Sequence, residues 1–239
     1  MTVLLVHALS DIGKVRDTNE DSFICRPPLF VVADGMGGHV AGEVASRMAV
    51  EAVGNCFDAA RGGDPLALLS QAITQANKMI FRMAQEDDGC AGMGTTVTAA
   101  FVEGTKLYWG HVGDSRLYLL RAGALSQITE DHSLVSELVK KGNITAVEAL
   151  SHPHRNILTR AVGTGEDVLV DTGSFGLLPG DRVLLCTDGL TNMVADEEIA
   201  ATLRQGGDVA ALLAGMVEKA NAAGGLDNIT AILVCHGTD

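Results

Sequence analysis

A chain of 239 residues, 47% apolar and 20% charged, carries enough apolar material for one large core, which excludes disordered and fibrous classes. Its net charge of −13, with no run of lysine or arginine anywhere, excludes a nucleic-acid surface and an anionic-membrane patch. The five cysteines (Cys25, Cys56, Cys90, Cys186 and Cys235) are odd in number, scattered and never in a CxxC pair, which argues against structural zinc and a disulfide framework.

The amino terminus, Met1 to His7, has neither a basic leader nor a long apolar stretch, so a cytoplasmic location is expected. Residues 3–10 and 29–33 read as strands. From His39 to Phe57 the apolar residues Val40, Val44, Met48, Ala52 and Cys56 recur every four positions and predict the buried stripe of a helix. A second helix starts at Asp64, an N-cap with Pro65 at the first helical position, and carries Ile73, Ala76, Ile80 and Met83 inward. The period then shortens: Thr95–Val102, Lys106–Val112 and Arg116–Leu120 are β-rich runs between glycine turns, an expected antiparallel meander.

The stretch from Thr129 to Gly165 is polar and rich in histidine, a surface excursion with a capping box, Thr145 to Glu148, opening a short helix. Strands resume at Val168–Phe175 and Asp181–Thr187. Asp196 and Asp208 are expected caps of two further helices, the second ending at Gly224-Gly225, and Asn228–Cys235 closes the core. The pattern is α+β. No repeat, linker or composition break divides it, so a single domain, 1–239, is expected.

Four aspartates stand where apolar runs begin or end: Asp34 in Val32-Ala33-Asp34-Gly35-Met36-Gly37-Gly38, Asp114 in Gly113-Asp114-Ser115-Arg116, Asp188 in Thr187-Asp188-Gly189, and Asp227 in Leu226-Asp227-Asn228. Singly, an Asp-Gly pair is an ordinary turn. Four of them at strand ends place carboxylates where a hard cation is bound by oxygens from distant sequence, and an all-oxygen set favours Mg²⁺ or Mn²⁺ over zinc or copper. Glycine after Asp34 is expected to let the chain turn sharply and to leave the Gly35 carbonyl free as a further ligand. Were Asp34 to bridge two such ions, a shared water would become a nucleophile near neutral pH, with a phosphate ester as its natural substrate. Arg16, just beyond the first strand, is the candidate for the phosphoryl oxygens.

Other phosphate chemistries fail on the residues. A cysteine nucleophile needs arginine six positions on, but those positions hold Val31, Gly62, Thr96 and Asn192 or fall past the chain end. A phosphate-cradling G-x-x-x-x-G-K-[ST] is absent, since Gly37 to Gly42 is followed by Glu43.

Arg16-Asp17-Thr18-Asn19-Glu20-Asp21, Asp34 to His39, Gly94-Thr95-Thr96, Gly113 to Arg116, Asp131-His132-Ser133-Leu134, His152-Pro153, Asn156 to Gly163, Thr187-Asp188-Gly189 and Asp227-Asn228 follow the order found in bacterial type 2C metal-dependent Ser/Thr protein phosphatases. The chain resembles that family over nearly its whole length, and so long an ordered set is specific where one motif would not be.

The resemblance implies a four-layer α-β-β-α sandwich, two antiparallel sheets packed face to face between helices. It implies Asp34 bridging two Mn²⁺ or Mg²⁺ ions, the Gly35 carbonyl on the first, and Asp188 and Asp227 on the second. Glu20 would act through a metal-bound water, and Asp21 would orient or deprotonate one. Arg16 would clamp phosphate, and Asp114 with Asp188 would hold a third ion. Residues 131–160 correspond to the family's flap. Animal relatives carry a histidine directly after the Asp-Gly pair; here Met36 stands there, and His39 is the candidate acid for the leaving group. The implied activity is hydrolysis of phosphoserine and phosphothreonine on proteins, by a monomer working against a eukaryotic-like Ser/Thr kinase. The competing expectations are a phosphatase-like regulatory or binding module without turnover, and a phosphatase dedicated to one regulatory phosphoprotein such as an anti-sigma-factor antagonist.

Overall fold

The structure is a computed structural model and describes residues 4–37, 41–60, 62–150 and 152–237. In chain order its elements are β1 (Leu4–Asp11), β2 (Asp21–Arg26), β3 (Leu29–Met36), α1 (Ala41–Ala59), α2 (Pro65–Glu86), a 3-10 turn (Asp88–Cys90), β4 (Gly94–Thr95), β5 (Val97–Glu103), β6 (Lys106–Val112), β7 (Arg116–Arg121) and β8 (Ala124–Gln127). They continue with α3 (Leu134–Lys140), α4 (Ala146–Leu150), β9 (Asp171–Gly176), β10 (Arg182–Cys186), α5 (Asp188–Thr191), α6 (Asp196–Arg204), α7 (Val209–Ala222) and β11 (Ile229–His236).

The strands form two sheets, ordered β1-β11-β10-β7-β8 and β2-β3-β5-β6-β9, with β4 attached to β3, and every pairing is antiparallel. Alternation along the strands builds the layers. In β3, Phe30 and Val32 point to the inter-sheet core with Ala100, Val102 and Leu107, where they meet Leu117, Leu119, Val183, Leu185, Ile232 and Val234 of the other sheet. Leu29, Val31 and Ala33 point outward under α1 and α2. The opposite outer layer sets Leu184, Ala231 and Leu233 against Ile199, Leu213, Met216 and Val217 of α6 and α7. Each fully buried large side chain stabilises the fold by roughly 1.5–3 kcal/mol. The expected α-β-β-α sandwich is the observed architecture.

Several local expectations change. The buried face of α1 is made by Ala41, Ala45, Ala49, Val53 and, as expected, Ala52, with Val44, Met48 and Cys56 on its flanks, while Val40 lies outside the described residues. Small residues let α1 lie close on β3, a contact that a four-residue apolar count does not reveal. On α2, Asp64 caps as expected, accepting from the Leu66 N–H, but Met83 is exposed and Leu69 and Ala72 are buried instead. Asp208 likewise caps α7, accepting from Ala211. Asp196 does not cap α6; Ala195 is the N-cap, and the Asp196 carboxylate accepts from the Tyr118 hydroxyl at 2.8 Å. The ninth strand begins at Asp171, three residues later than expected.

The expected meander is also broken. After β5 and β6 pair, the chain crosses at Gly113-Asp114-Ser115 and β7 joins the other sheet, beside β10. This crossing carries Asp114 to the seam between the sheets.

Candidate metal centre

The pairing registers bring all the sequence-selected aspartates to one end of the sandwich. Asp34 lies opposite Asp21 across the β2–β3 ladder, Asp188 follows β10, Asp227 precedes β11 and Asp114 occupies the β6–β7 crossing. Asp21 is buried, while Asp34, Asp114, Asp188 and Asp227 are half-buried, so the cluster is walled by protein and open on one side.

The neighbouring backbone fixes each carboxylate. Asp34 donates its N–H to Thr96 Oγ1 at 2.9 Å, and its carbonyl accepts from Thr95 Oγ1 at 2.7 Å and from the Thr96 N–H at 2.9 Å. That is the structural use of Gly94-Thr95-Thr96. Thr96 Oγ1 also meets Ser115 Oγ at 2.7 Å, tying β3 to the Asp114 crossing. Asn228 organises the loop before β2: its Oδ1 accepts from the Glu20 N–H, and its Nδ2 donates to the carbonyls of Ile12 and Thr18.

The glycines serve close approach. Gly35 remains in the extended strand, paired with Thr95, in place of the expected sharp turn. A Cβ there would lie 2.1 Å from the Gly42 carbonyl oxygen and 2.5 Å from that of Glu20. A Cβ at Gly189 would lie 2.0 Å from the Asn228 carbonyl oxygen. Backbone oxygens cannot yield to a side chain at such distances, so both positions require glycine.

Electrostatically the cluster is unbalanced. Burial pushes the Asp34 carboxyl well above its usual range, and the charges of Asp21, Asp188, Asp114 and Asp227 push it further. Burial is again the leading cause for Asp21, raised to about 7, and for Asp114, raised to about 8 with Asp188 as its strongest adverse charge. Asp188 is raised by burial and by Asp227, and Glu20 by burial. Asp188 Oδ2 accepts from Asn192, and Asp21 Oδ2 accepts from Thr187 Oγ1 at 2.9 Å. Their second oxygens, Asp188 Oδ1 and Asp21 Oδ1, are buried and find no hydrogen-bond donor. Buried anionic oxygens without donors are costly unless a cation serves them.

The donor set therefore fits a hard divalent ion, all oxygen and strongly anionic. Among the described residues, no three His, Cys, Asp or Glu side chains already close into a ligand cage. An open set of this kind suits an ion that keeps several of its own waters, as Mg²⁺ does.

Arg16 is about half exposed, and its guanidinium donates to Asp227 Oδ2 at 2.7 Å; Asp227 Oδ1 accepts from the following Asn228 N–H. The arginine thus stands at the rim, one hydrogen bond from the carboxylates. Met36 ends β3 beside the cluster. His39, the candidate acid, lies outside the described residues.

Sequence reasoning missed Thr187 as the partner of Asp21 and Asn192 as the partner of Asp188. It also missed the Arg116–Asp131 pair, in which Nε and Nη2 grip both carboxylate oxygens at 2.7 to 3.1 Å. Thr187 and Arg116 lie inside motifs singled out for their aspartates, but a motif does not say where a hydroxyl or guanidinium points.

A family model described as protein phosphatase 2C matches residues 18–233. The chain belongs to the protein phosphatase 2C family. Among curated relatives, the serine/threonine protein phosphatase PstP of Mycobacterium tuberculosis is 44% identical over 231 residues, 97% of this chain and 45% of that protein. The chain thus spans about half the length of that relative. The serine/threonine phosphatase stp of Listeria monocytogenes is 40% identical over 239 residues, 94% of this chain and 93% of that protein. The crystal structure of the M. tuberculosis phosphatase PstP/Ppp matches with a TM-score of 0.93 at 42% identity, covering 100% of both chains. The catalytic domain of PstP, solved in complex with two manganese ions, matches at 0.92 and 41% identity, also with full coverage.

Proposed function

We propose that this chain is a Mn²⁺- or Mg²⁺-dependent protein phosphatase that removes phosphate from serine and threonine residues by direct attack of water, without a phosphoenzyme. The observation that carries the reading is the pair of buried, donorless oxygens on Asp21 and Asp188 beside the doubly hemmed Asp34. Family membership and the manganese-bound PstP domain support the same reading.

When bound, a pair of divalent ions supplies an acidified water and neutralises charge on the phosphoryl oxygens. Asp34, Asp188, Asp227 and the Gly35 carbonyl are the residues that would hold them. Asp114, with Asp188, would hold a third, and Glu20 would act through water. Asp21, whose Oδ1 has no donor, would accept a proton from the attacking water. Arg16, at the rim, orients the phosphoryl oxygens through its fork of donors. His39 is the candidate that protonates the leaving alkoxide.

The proposal further takes 1–239 as one domain with a flap at about 131–160, acting as a cytoplasmic monomer on phosphoproteins against a cognate Ser/Thr kinase. Among the described residues no helix is long and apolar enough to cross a membrane. The decisive experiment compares hydrolysis of phosphoserine, phosphothreonine and phosphotyrosine peptides in Mn²⁺, Mg²⁺ or chelator. Turnover of the first two that vanishes in chelator is expected; inactivity under every condition would leave a binding module.

A further inference from the structure

One buried residue outside the carboxylate cluster touches three separate parts of the chain. His132 is only 6% exposed and lies just after the Arg116–Asp131 pair. Its own N–H donates to the Gly113 carbonyl at 2.7 Å, and its Nδ1 accepts from the Gly113 N–H at 3.0 Å, so the residue closes a two-bond ring on Gly113, the residue preceding Asp114. Its carbonyl accepts from the Thr159 N–H at 2.8 Å, and its Nε2 donates to Asp171 Oδ2 at 3.0 Å. The other Asp171 oxygen accepts from Arg160 at 2.6 Å. Residues 131–133 and 158–160 are where the surface segment leaves and rejoins the body, and Ser133 bridges Leu158 between them.

The protonation state follows from the partners. Nδ1 receives a hydrogen bond and is bare, so the neutral ring carries its single proton on Nε2, aimed at Asp171. Burial holds this imidazole below its ordinary range, consistent with that state. His111 packs against it with ring centroids 4.7 Å apart and planes tilted by 37°, and holds the Glu130 carbonyl through its own Nε2 at 3.0 Å. On the far side, Gly113 has φ +115, and a Cβ there would lie 2.5 Å from the Thr96 side chain. The peptide before Asp114 is thus pressed between Thr96 and His132, with little freedom to settle elsewhere.

We infer that His132 is a positioning residue that staples both ends of the 131–160 segment to the Asp114 crossing, its Nδ1 fixing the crossing and its Nε2 fixing the segment's return. The inference rests on the phosphatase reading for its catalytic consequence but not for its structural one. The two ring nitrogens have separate duties, so they can be separated by substitution. His132→Asn keeps an acceptor near the position of Nδ1 but is too short to reach Asp171, and it leaves the Arg160–Asp171 pair in place. Asp171→Ala removes the partner of Nε2 together with that of Arg160 while leaving the Nδ1 bond intact, and Asp171 has no place in the proposed chemistry. His132→Ala removes both.

The test pairs limited trypsin digestion of the native protein, read at Lys140, Lys141 and Arg155, with kcat, KM and the half-saturating Mn²⁺ concentration on a phosphothreonine peptide. Cleavage within the segment should quicken about tenfold in Asp171→Ala and His132→Ala, because cutting tracks the population of the opened segment. Only His132→Ala should also lose about tenfold in kcat and require more Mn²⁺, since a displacement of about 1 Å at a ligand-bearing turn is felt that strongly. His132→Asn should recover most of the kcat while remaining protease-sensitive. Wild-type cleavage rates in Asp171→Ala and His132→Asn would overturn the staple, as would equal losses of kcat in all three variants. Should His132→Ala fail to fold, the other two still decide. A wild-type protein that hydrolyses no phosphopeptide defeats the phosphatase reading while leaving the digestion result to judge the staple.

Discussion

The carboxylate end of the sandwich and the segment from 131 to 160 face the same solvent, yet they are built in opposite ways. Asp34, Asp188 and Asp227 sit on the ends of interior strands, and the Asp34 backbone alone makes three hydrogen bonds to Thr95 and Thr96. In the segment, α3 and α4 have no buried residue, and Val147 and Leu150 are 76% and 73% exposed. Oxygens that must meet an ion within tenths of an ångström need a rigid mount, whereas an exposed segment without a core of its own is free to adapt. The lesson is a division of labour along one chain, and it can be broken at either end.

The largest effect is expected at Asp34. Asp34→Asn should lower turnover of a phosphothreonine peptide by ~10³-fold or more, the scale for losing a group at the reacting centre. In chelator the same variant should melt higher than wild type, because it removes the most hemmed-in charge of the cluster. Activity and stability moving in opposite directions would mark the residue as functional; near-normal turnover would remove Asp34 from the mechanism.

The next effect is a pH dependence of stability. Asp21 and Asp114 have carboxyls raised by burial to about 7 and about 8, so the folded state binds protons that the unfolded chain has already released. The resulting stabilisation is complete below the unfolded value near pH 4 and is lost as pH rises through 7 to 8. Chelated protein should therefore show a Tm that falls by several degrees between pH 5 and pH 8. Mn²⁺ should flatten that fall by taking the place of the protons. A Tm in chelator that is level across this window would refute the electrostatic description of the centre.

A smaller effect separates positioning from chemistry. Thr187 donates to Asp21 Oδ2 and accepts from the Thr230 N–H at 2.9 Å, so its hydroxyl has a donor and an acceptor duty at once. Thr187→Val keeps the shape and strands both partners, which should cost about 1–3 kcal/mol by urea denaturation. A drop of about tenfold in kcat should accompany it, with KM unchanged. Thr187→Ser should restore both quantities; a Ser variant as impaired as Val would show that packing of the methyl group, and not the hydrogen bond, holds Asp21.

How much of this was readable in the sequence follows the same division. Asp34, Asp114, Asp188 and Asp227 were legible because a carboxylate beside glycine or asparagine at the end of an apolar run is a local pattern, and the antiparallel registers then carry all four to one end. The α+β pattern was legible through the strand and helix periods and the caps at Asp64 and Asp208, and the four-layer sandwich through the resemblance to the type 2C family. The crossing at Gly113 was not, since β6 and β7 look like a continued hairpin until the partner sheet is known. Nor was the face of α1: Ala41, Ala45 and Ala49 contribute little to an apolar count but permit the closest contact. Gly35 was read for backbone freedom, whereas its use is the 2.1 Å approach of the Gly42 carbonyl, which only the folded chain brings there. Thr187, Asn192 and His132 act through partners from 4 to 166 positions away, and no periodicity encodes such aim.

The smallest effect is expected on α4, and it tests the other half of the comparison. Thr145 and Glu148 form a reciprocal capping box, Glu148 accepting from the Thr145 N–H at 2.7 Å and Thr145 Oγ1 accepting from the Glu148 N–H at 3.2 Å. The helix is thus held by its own ends and not by a core. Replacing Val147 and Leu150 together by serine should then change stability by no more than about 0.5 kcal/mol per site, the range for surface positions without special contacts. Hydrolysis of a small aryl phosphate should be unaltered, because that substrate needs only the carboxylate end. If the segment serves protein partners, KM for a folded phosphoprotein should rise about two- to fivefold with kcat unchanged, the pattern of lost uniform binding. A matching loss on the aryl phosphate would mean that this helix supports the metal centre itself, and the separation between rigid mount and adaptable surface would fail.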